Sequence, residues 1–228
     1  MAYRYVDRVE AGKVLGRFLK KREFKGNPVV VALPRGGVPV GFEVAEAIGA
    51  PLDVLVVRKI GAPGHSELAC GAVLLSGEVV WNERILKALD ITKESLRTIV
   101  NDEIKEAKAR ESALRSPQTP AIPLRDVSVI IVDDGLATGA TMKAAVCGVF
   151  AQKPKEVMVA IPVAPTSSCV ELEMMGCTVI CVQRVDEDTF SSVGQWYQDF
   201  PQISTAQCRQ LLTRSRMKDE GAVQDERA

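Results

Sequence analysis

Val129-Ile130-Ile131-Val132-Asp133-Asp134-Gly135-Leu136-Ala137-Thr138-Gly139-Ala140-Thr141 begins as a run of four β-branched apolar residues and stops abruptly at two acids. Such a run reads as a strand of a parallel sheet, buried on both faces. After the acids come two glycines and two threonines, then Met142, Ala145, Val146 and Val149 at helical spacing. The polar loop therefore joins the carboxyl end of a strand to the amino end of a helix, and that junction favours anions. The first N–H groups of a helix lack intrahelical partners, the helix dipole adds partial positive charge, and Thr138 and Thr141 bring hydroxyl donors. Two carboxylates beside such a site would repel a bare phosphate. A sugar phosphate reconciles the two halves, with the loop on the phosphate and Asp133 and Asp134 on vicinal sugar hydroxyls, directly or through Mg²⁺. On this reading the acids stand at an exposed strand end and contribute little to packing.

The strand, two acids, three residues and T-G-x-T resemble the fingerprint of the type I phosphoribosyltransferases at every position. The resemblance implies that Asp133 and Asp134 bind the ribose of phosphoribosyl pyrophosphate and hold Mg²⁺. Gly135, Ala137, Thr138, Gly139, Ala140 and Thr141 would then surround the 5-phosphate. A strand ending in Asp-Asp also opens phospho-receiver domains. Here the later strands end in Ile161-Pro-Val-Ala and Val182-Gln-Arg, and the acids come too late in the chain for that fold. Neither G-K-[ST] nor G-x-G-x-x-G is present in the loop, which sets aside P-loop and dinucleotide sites.

The 228 residues are 46% apolar, enough for a substantial core. Lys plus Arg and Asp plus Glu each total 29, so no positive field points to nucleic acid or an anionic membrane. The start lacks the apolar core of a signal peptide and no apolar run reaches membrane-spanning length, so a cytoplasmic protein is expected. Six cysteines without a C-x-x-C pair read as reduced core thiols.

In chain order, residues 7–24 pattern as a helix. A strand at 29–33 then breaks into Pro34-Arg35-Gly36-Gly37 before a helix at 38–48. This is a second strand–loop–helix junction: the glycines let backbone approach a ligand, and Arg35 offers a bidentate fork to phosphate oxygens. In the family this loop takes the pyrophosphate and commonly holds a cis peptide, which the resemblance puts at Leu33–Pro34. The next apolar strand, 52–57, runs out into Arg58-Lys59-Ile60-Gly61-Ala62-Pro63-Gly64-His65-Ser66-Glu67, a loop placed to act as a lid. By resemblance to the adenine-type branch, Lys59 and Arg58 stabilise the leaving group, His65 contacts the ligand and Glu67 assists proton movement at the acceptor.

A strand pair at 72–81 with a Ser76-Gly77 turn is the flap from which the lid would hang. Helices follow at 82–89 and 92–114, then a linker at 116–123. Strands at 156–163 and 178–182 flank a helix at 167–175, so residues 28–182 alternate strand and helix. That is the pattern of a doubly wound, mainly parallel α/β sheet with helices on both faces and an antiparallel flap carrying a flexible loop. Residues 184–203, with four of the chain's eleven aromatics, either cap the sheet edge or form a small C-terminal hood that reads the acceptor. On the hood reading Phe190 or Trp196 stacks on the ring and backbone near Val193 contacts its edge. A single domain is expected over 1–213, its last helix at 204–213, followed by a polar, disordered tail at 214–228. The resemblance implies transfer of the phosphoribosyl group to a nitrogenous, purine-like acceptor by a Mg²⁺-dependent homodimer. The alternative is a regulator that binds phosphoribosyl pyrophosphate without catalysis.

Overall fold

The computed structural model describes residues 3–74, 77, 79–115 and 120–225, with backbone alone for 65–67 and 218–225. Five parallel strands, β1 (Pro28–Ala32), β2 (Leu52–Val54), β6 (Ser128–Val132), β7 (Glu156–Pro165) and β8 (Thr178–Val185), form the central sheet in the order β2-β1-β6-β7-β8. β3 (Arg58–Ala62), β4 (His65–Val73) and β5 (Val79–Trp81) make a separate antiparallel sheet. The helices are α1 (Arg8–Leu19), α2 (Gly37–Ile48), α3 (Glu83–Ala88), α4 (Arg97–Leu114), α5 (Ala140–Ala151), α6 (Thr166–Met174) and α7 (Thr205–Asp225).

The period of two along the strands sorts the core into two layers. Val30, Ala32, Ile130, Val132, Met158 and Ala160 face α1, α2 and α7. Val29, Val31, Val129, Ile131, Val157 and Val159 face α5 and α6. Both layers are closed, which is why these strands read as unbroken apolar runs. The small sheet packs one face on α4 through Ile60, Val73 and Leu96. Its other face meets α5 through Ala72 and Leu74. Gly148 leaves room for that second contact, since a Cβ there would lie 2.2 Å from Leu74 Cδ2.

Three local expectations change. Arg58–Glu67 is the β3–β4 hairpin, reversing at Pro63-Gly64, because the residues expected as loop find ladder partners on β4, Arg58 opposite Val73 and Lys59 opposite Ala72. The cis peptide is Pro34–Arg35, one bond later than expected; proline's own bias acts on the bond that precedes it, so composition pointed to the wrong amide. The last helix, expected over 204–213, is α7 over Thr205–Asp225. Arg214 lies 5.2 Å from the Phe42 ring centroid, and Arg216 reaches Asp53 and the Pro120 carbonyl, anchors on distant segments that local polarity could not reveal. The Ser76-Gly77 turn and the 116–123 linker lie partly outside the described residues.

Strand order matters most for the site. From β1 the chain moves to β2 on one side, while β6, β7 and β8 extend the sheet on the other, so the order reverses between β1 and β6. The crevice at the carboxyl ends of two such strands is where open α/β sheets bind ligands. Leu33 N–H donates to the Val132 carbonyl at 2.9 Å, bringing Pro34–Gly37 and Asp133–Gly139 together there.

Candidate active site at the strand-order reversal

The two glycines after β1 are required by the acids after β6. A Cβ on Gly36 would fall 2.0 Å from Asp134 Oδ2, and one on Gly37 would fall 2.7 Å from the Val132 carbonyl and 2.9 Å from Asp133 Cα. The backbone thus presses directly against the acid pair. Arg35, between proline and glycine, is exposed and has no ion-pair partner among the described residues.

Neither acid is a solvated strand end. Asp133 accepts from the Asp134 N–H at 2.8 Å, and burial, then the charge of Asp134, pushes its carboxyl well above the usual range. Burial also raises Asp134, while the Arg8 guanidinium beside it pulls it back. Arg8 Nε donates to Asp134 Oδ2 at 2.8 Å, with the two side chains only 8% and 14% exposed. Asp134 is therefore the member with a cation beside it, and Asp133 the one whose charge burial disfavours without such a partner at hydrogen-bond distance. The expectation that these acids pack against little fails because Arg8, 126 positions earlier, is folded onto one of them.

Beyond the acids, Gly139 takes the left-handed conformation (φ 66°) that glycine adopts at no steric cost, and it caps the start of α5. Ala137, Thr138 and Thr141 are exposed around that helix start, with Gly139 buried and Ala140 between. Ser168 Oγ donates to the Ala137 carbonyl at 2.8 Å and Lys143 Nζ to the Thr138 carbonyl at 3.1 Å, so the loop is braced from α6 and from within α5. A cleft of about 1050 Å³ opens beside Ala137 and Thr138, walled by Trp81, Ile85, Phe190 and Met175.

Of the expected lid cations, Arg58 is turned away, its Nε 2.5 Å from Glu103 on α4. The alternation of β3 puts Lys59 on the opposite face, level with Ala72 toward α5. The side chains of His65 and Glu67 lie outside the described residues, although their backbone belongs to β4. In the hood, Val193 packs on Gly135, where a Cβ would come 2.6 Å from its Cγ1. Trp196 is buried at 5% exposure, its ring stacked 6.5 Å from Phe190, so it supports Phe190 from beneath and Phe190 alone of the two reaches the cleft wall.

Comparison with known proteins agrees with this geometry. The phosphoribosyl transferase domain model matches residues 6–193. The chain belongs to the phosphoribosyl transferase family. A Mycobacterium tuberculosis protein provisionally named a phosphoribosyl transferase, known from strains CDC 1551 / Oshkosh and ATCC 25618 / H37Rv, is 37% identical over 209 residues, 92% of this chain. The match covers 46% of that protein, so this phosphoribosyl transferase chain spans about half the length of its curated relatives. The crystal structure of TT1426 from Thermus thermophilus superposes with a TM-score of 0.84 at 36% identity, covering 92% of this chain and 97% of the other. Among described residues no helix is long and apolar enough to cross a membrane.

Within this family member, reading the sequence missed Arg8 and Ser168, and missed the contact that Tyr197 of the hood makes with the acid loop. Tyr197 donates to the Asp134 carbonyl at 2.5 Å, and burial raises its hydroxyl far above the ordinary tyrosine range. Arg8 and Ser168 lie near no motif in sequence, and Tyr197, although it follows Trp196 in the hood, gives no local sign of its bond to the acid loop. As a cation site, the acid pair has no third His, Cys, Asp or Glu gathered with it among the described residues. That donor set fits Mg²⁺, which commonly takes one or two carboxylates and completes its shell with water and substrate phosphate oxygens.

Proposed function

We propose that this chain transfers the 5-phosphoribosyl group of phosphoribosyl pyrophosphate to a nitrogenous, purine-like acceptor and releases pyrophosphate. The observation that carries the reading is the meeting, at the reversal of strand order, of an acid pair, a glycine-backed loop bearing Arg35, and a threonine-lined helix start. Ala137–Thr141 offers the N–H groups of a helix start and two hydroxyls to the 5-phosphate. Asp133 and Asp134 accept from ribose hydroxyls, Arg35 takes the pyrophosphate, and Lys59 adds positive charge for the leaving group. Mg²⁺ bound with the substrate would neutralise the pyrophosphate and make it a better leaving group. As the bond from C1 to pyrophosphate lengthens, the sugar gains positive charge, and a carboxylate held under it lowers the barrier. The acceptor enters from the cleft beside Phe190, and Glu67 relieves its nitrogen of a proton. Residues 1–213 act as one catalytic unit in this reading.

Asp133→Asn tests the reading. The substitution keeps the shape and the acceptor oxygen while removing the charge, so the melting temperature should stay within about 2 °C of wild type. Calorimetry with Mg²⁺ and phosphoribosyl pyrophosphate should register a loss of about a hundredfold in affinity, the scale of a charge-assisted contact. Unchanged affinity would remove the basis of the reading.

Arg35→Ala separates the two loops. It should weaken phosphoribosyl pyrophosphate about ten- to a hundredfold and leave ribose 5-phosphate nearly unaffected, since only the first carries a pyrophosphate. Equal losses in paired titrations would mean that the loops are assigned the wrong way round.

A further inference from the structure

We propose that Arg8 is a positioning residue of the phosphoribosyl site, holding the Asp134 carboxylate by Oδ2 in one orientation for the sugar and fastening it to the hood. The inference rests on the phosphoribosyl reading above. Arg8 is the first residue of α1, yet its side chain leaves that helix entirely. Nε donates to Asp134 Oδ2 at 2.8 Å, Nη1 donates to the Pro201 carbonyl at 2.8 Å, and the guanidinium carbon sits 3.7 Å from the Phe200 ring centroid. One planar cation thus joins the acid loop to residues 200–201. A lysine could not do this, because a point charge lacks the fork and the stacking face.

The carboxylate is closely neighboured at Oδ2. Gly36 stands behind it so closely that a Cβ would overlap Oδ2, and Arg8 closes the other side. The hood repeats the fastening at two more points. Tyr197 donates to the Asp134 carbonyl at 2.5 Å, and Val193 packs onto Gly135. Backbone bonds from Tyr5 N–H to the Trp196 carbonyl and from Gln198 N–H to the Tyr5 carbonyl tie the segment before Arg8 to the same part of the hood. The sugar-binding acid and the segment carrying Phe190 therefore share one support, and Arg8 is the part of it that touches the carboxylate. A hydroxyl of the sugar gains most from an acceptor whose direction is already fixed, because no side-chain freedom is lost on binding.

A purely structural ion pair predicts lost stability and unchanged ligand affinity, whereas a positioning role predicts a ligand-specific loss. Wild type, Arg8→Gln and Arg8→Lys are titrated with ribose 5-phosphate and with inorganic phosphate, well below the melting temperature of each. Arg8→Gln should weaken ribose 5-phosphate about tenfold or more, the value of a well-placed hydrogen bond to a charged group, and leave inorganic phosphate unchanged, since that ion needs only the Thr138–Thr141 loop. Arg8→Lys should recover part of the loss, because it keeps the charge without the fork. Wild-type affinity for ribose 5-phosphate in a folded Arg8→Gln protein overturns the positioning role alone. Failure of the wild type itself to bind ribose 5-phosphate overturns the phosphoribosyl reading and this inference with it. Should Arg8→Gln not fold, Arg8→Lys decides: affinity weakened about threefold or more upholds the proposal, and wild-type affinity overturns it.

Discussion

Asp134→Ala is expected to lower the free energy of unfolding by about 3–5 kcal/mol, the usual consequence of removing one partner from a buried ion pair. The size follows from what is left behind. Arg8 is 8% exposed and keeps its contacts to Pro201 and Phe200, so it cannot follow water outward without also breaking those. Its charge would remain in the interior with one carbonyl and one aromatic face for company. For a chain of this length the melting temperature should fall by about 6–20 °C in calorimetry. Replacing both partners with apolar residues, Arg8→Met with Asp134→Leu, should recover much of that loss, since the remaining penalty is then only imperfect packing. A loss below about 1 kcal/mol for Asp134→Ala would mean that the guanidinium is solvated and that the acid pair stands free of the N-terminal helix. The contrast with Asp133→Asn is informative, because the two neighbouring acids should separate: Asp134 bears on stability as well as ligand, Asp133 mainly on ligand.

The second large effect is expected at Asp53, far from the proposed site. Asp53 is 3% exposed, and its carboxylate accepts from Arg115 Nη1 at 2.9 Å, from the Ile122 N–H at 2.9 Å and from the Val54 N–H at 2.8 Å. Arg115 Nη2 adds a contact at 2.8 Å and Arg216 one at 3.5 Å. One acid on the edge strand β2 thus collects the end of α4, the linker at Ile122 and the far part of α7. Asp53→Ala leaves Arg115 buried beside an empty position and should cost about 3–5 kcal/mol. It should also loosen the end of α7, because Arg216 loses one of its two described anchors there. Hydrogen exchange should report faster amide exchange from Leu211 to Arg216 and an unchanged rate in β6 and β7. Equal acceleration throughout the chain would mean a global loss of stability without a local anchor.

The sheet was legible because its signals are local. Val129–Val132 is apolar on both faces, and alternation of strand and helix from Pro28 to Val182 leaves few other ways to bury those runs. The strand–loop–helix junction was legible for the same reason: a strand that ends in acids and a helix that begins after Thr138 and Gly139 lie within thirteen consecutive residues. Even the need for glycine at 36 and 37 could be read, although its cause could not. The glycines admit the side chain of Asp134 and the backbone around Asp133, not ligand alone.

What stayed hidden depends on residues far apart in the chain. Arg58–Glu67 has the glycine, proline and charge of a loop, and it becomes a hairpin because β4 supplies ladder partners that outweigh local propensity. Arg58 and Lys59 look equivalent in sequence, yet alternation sends one to Glu103 and the other toward α5. Asp53 disappears into an apolar strand because nothing nearby announces Arg115 and Arg216. By itself the sequence determined the doubly wound sheet and the polar strand–loop–helix junctions at its carboxyl edge, since hydrophobic period and helix-end signals act over a few residues. Only the tertiary structure decided which charges are tools and which are ties, because a buried charge must find its partner wherever the fold places one, and for Asp134 that partner is Arg8.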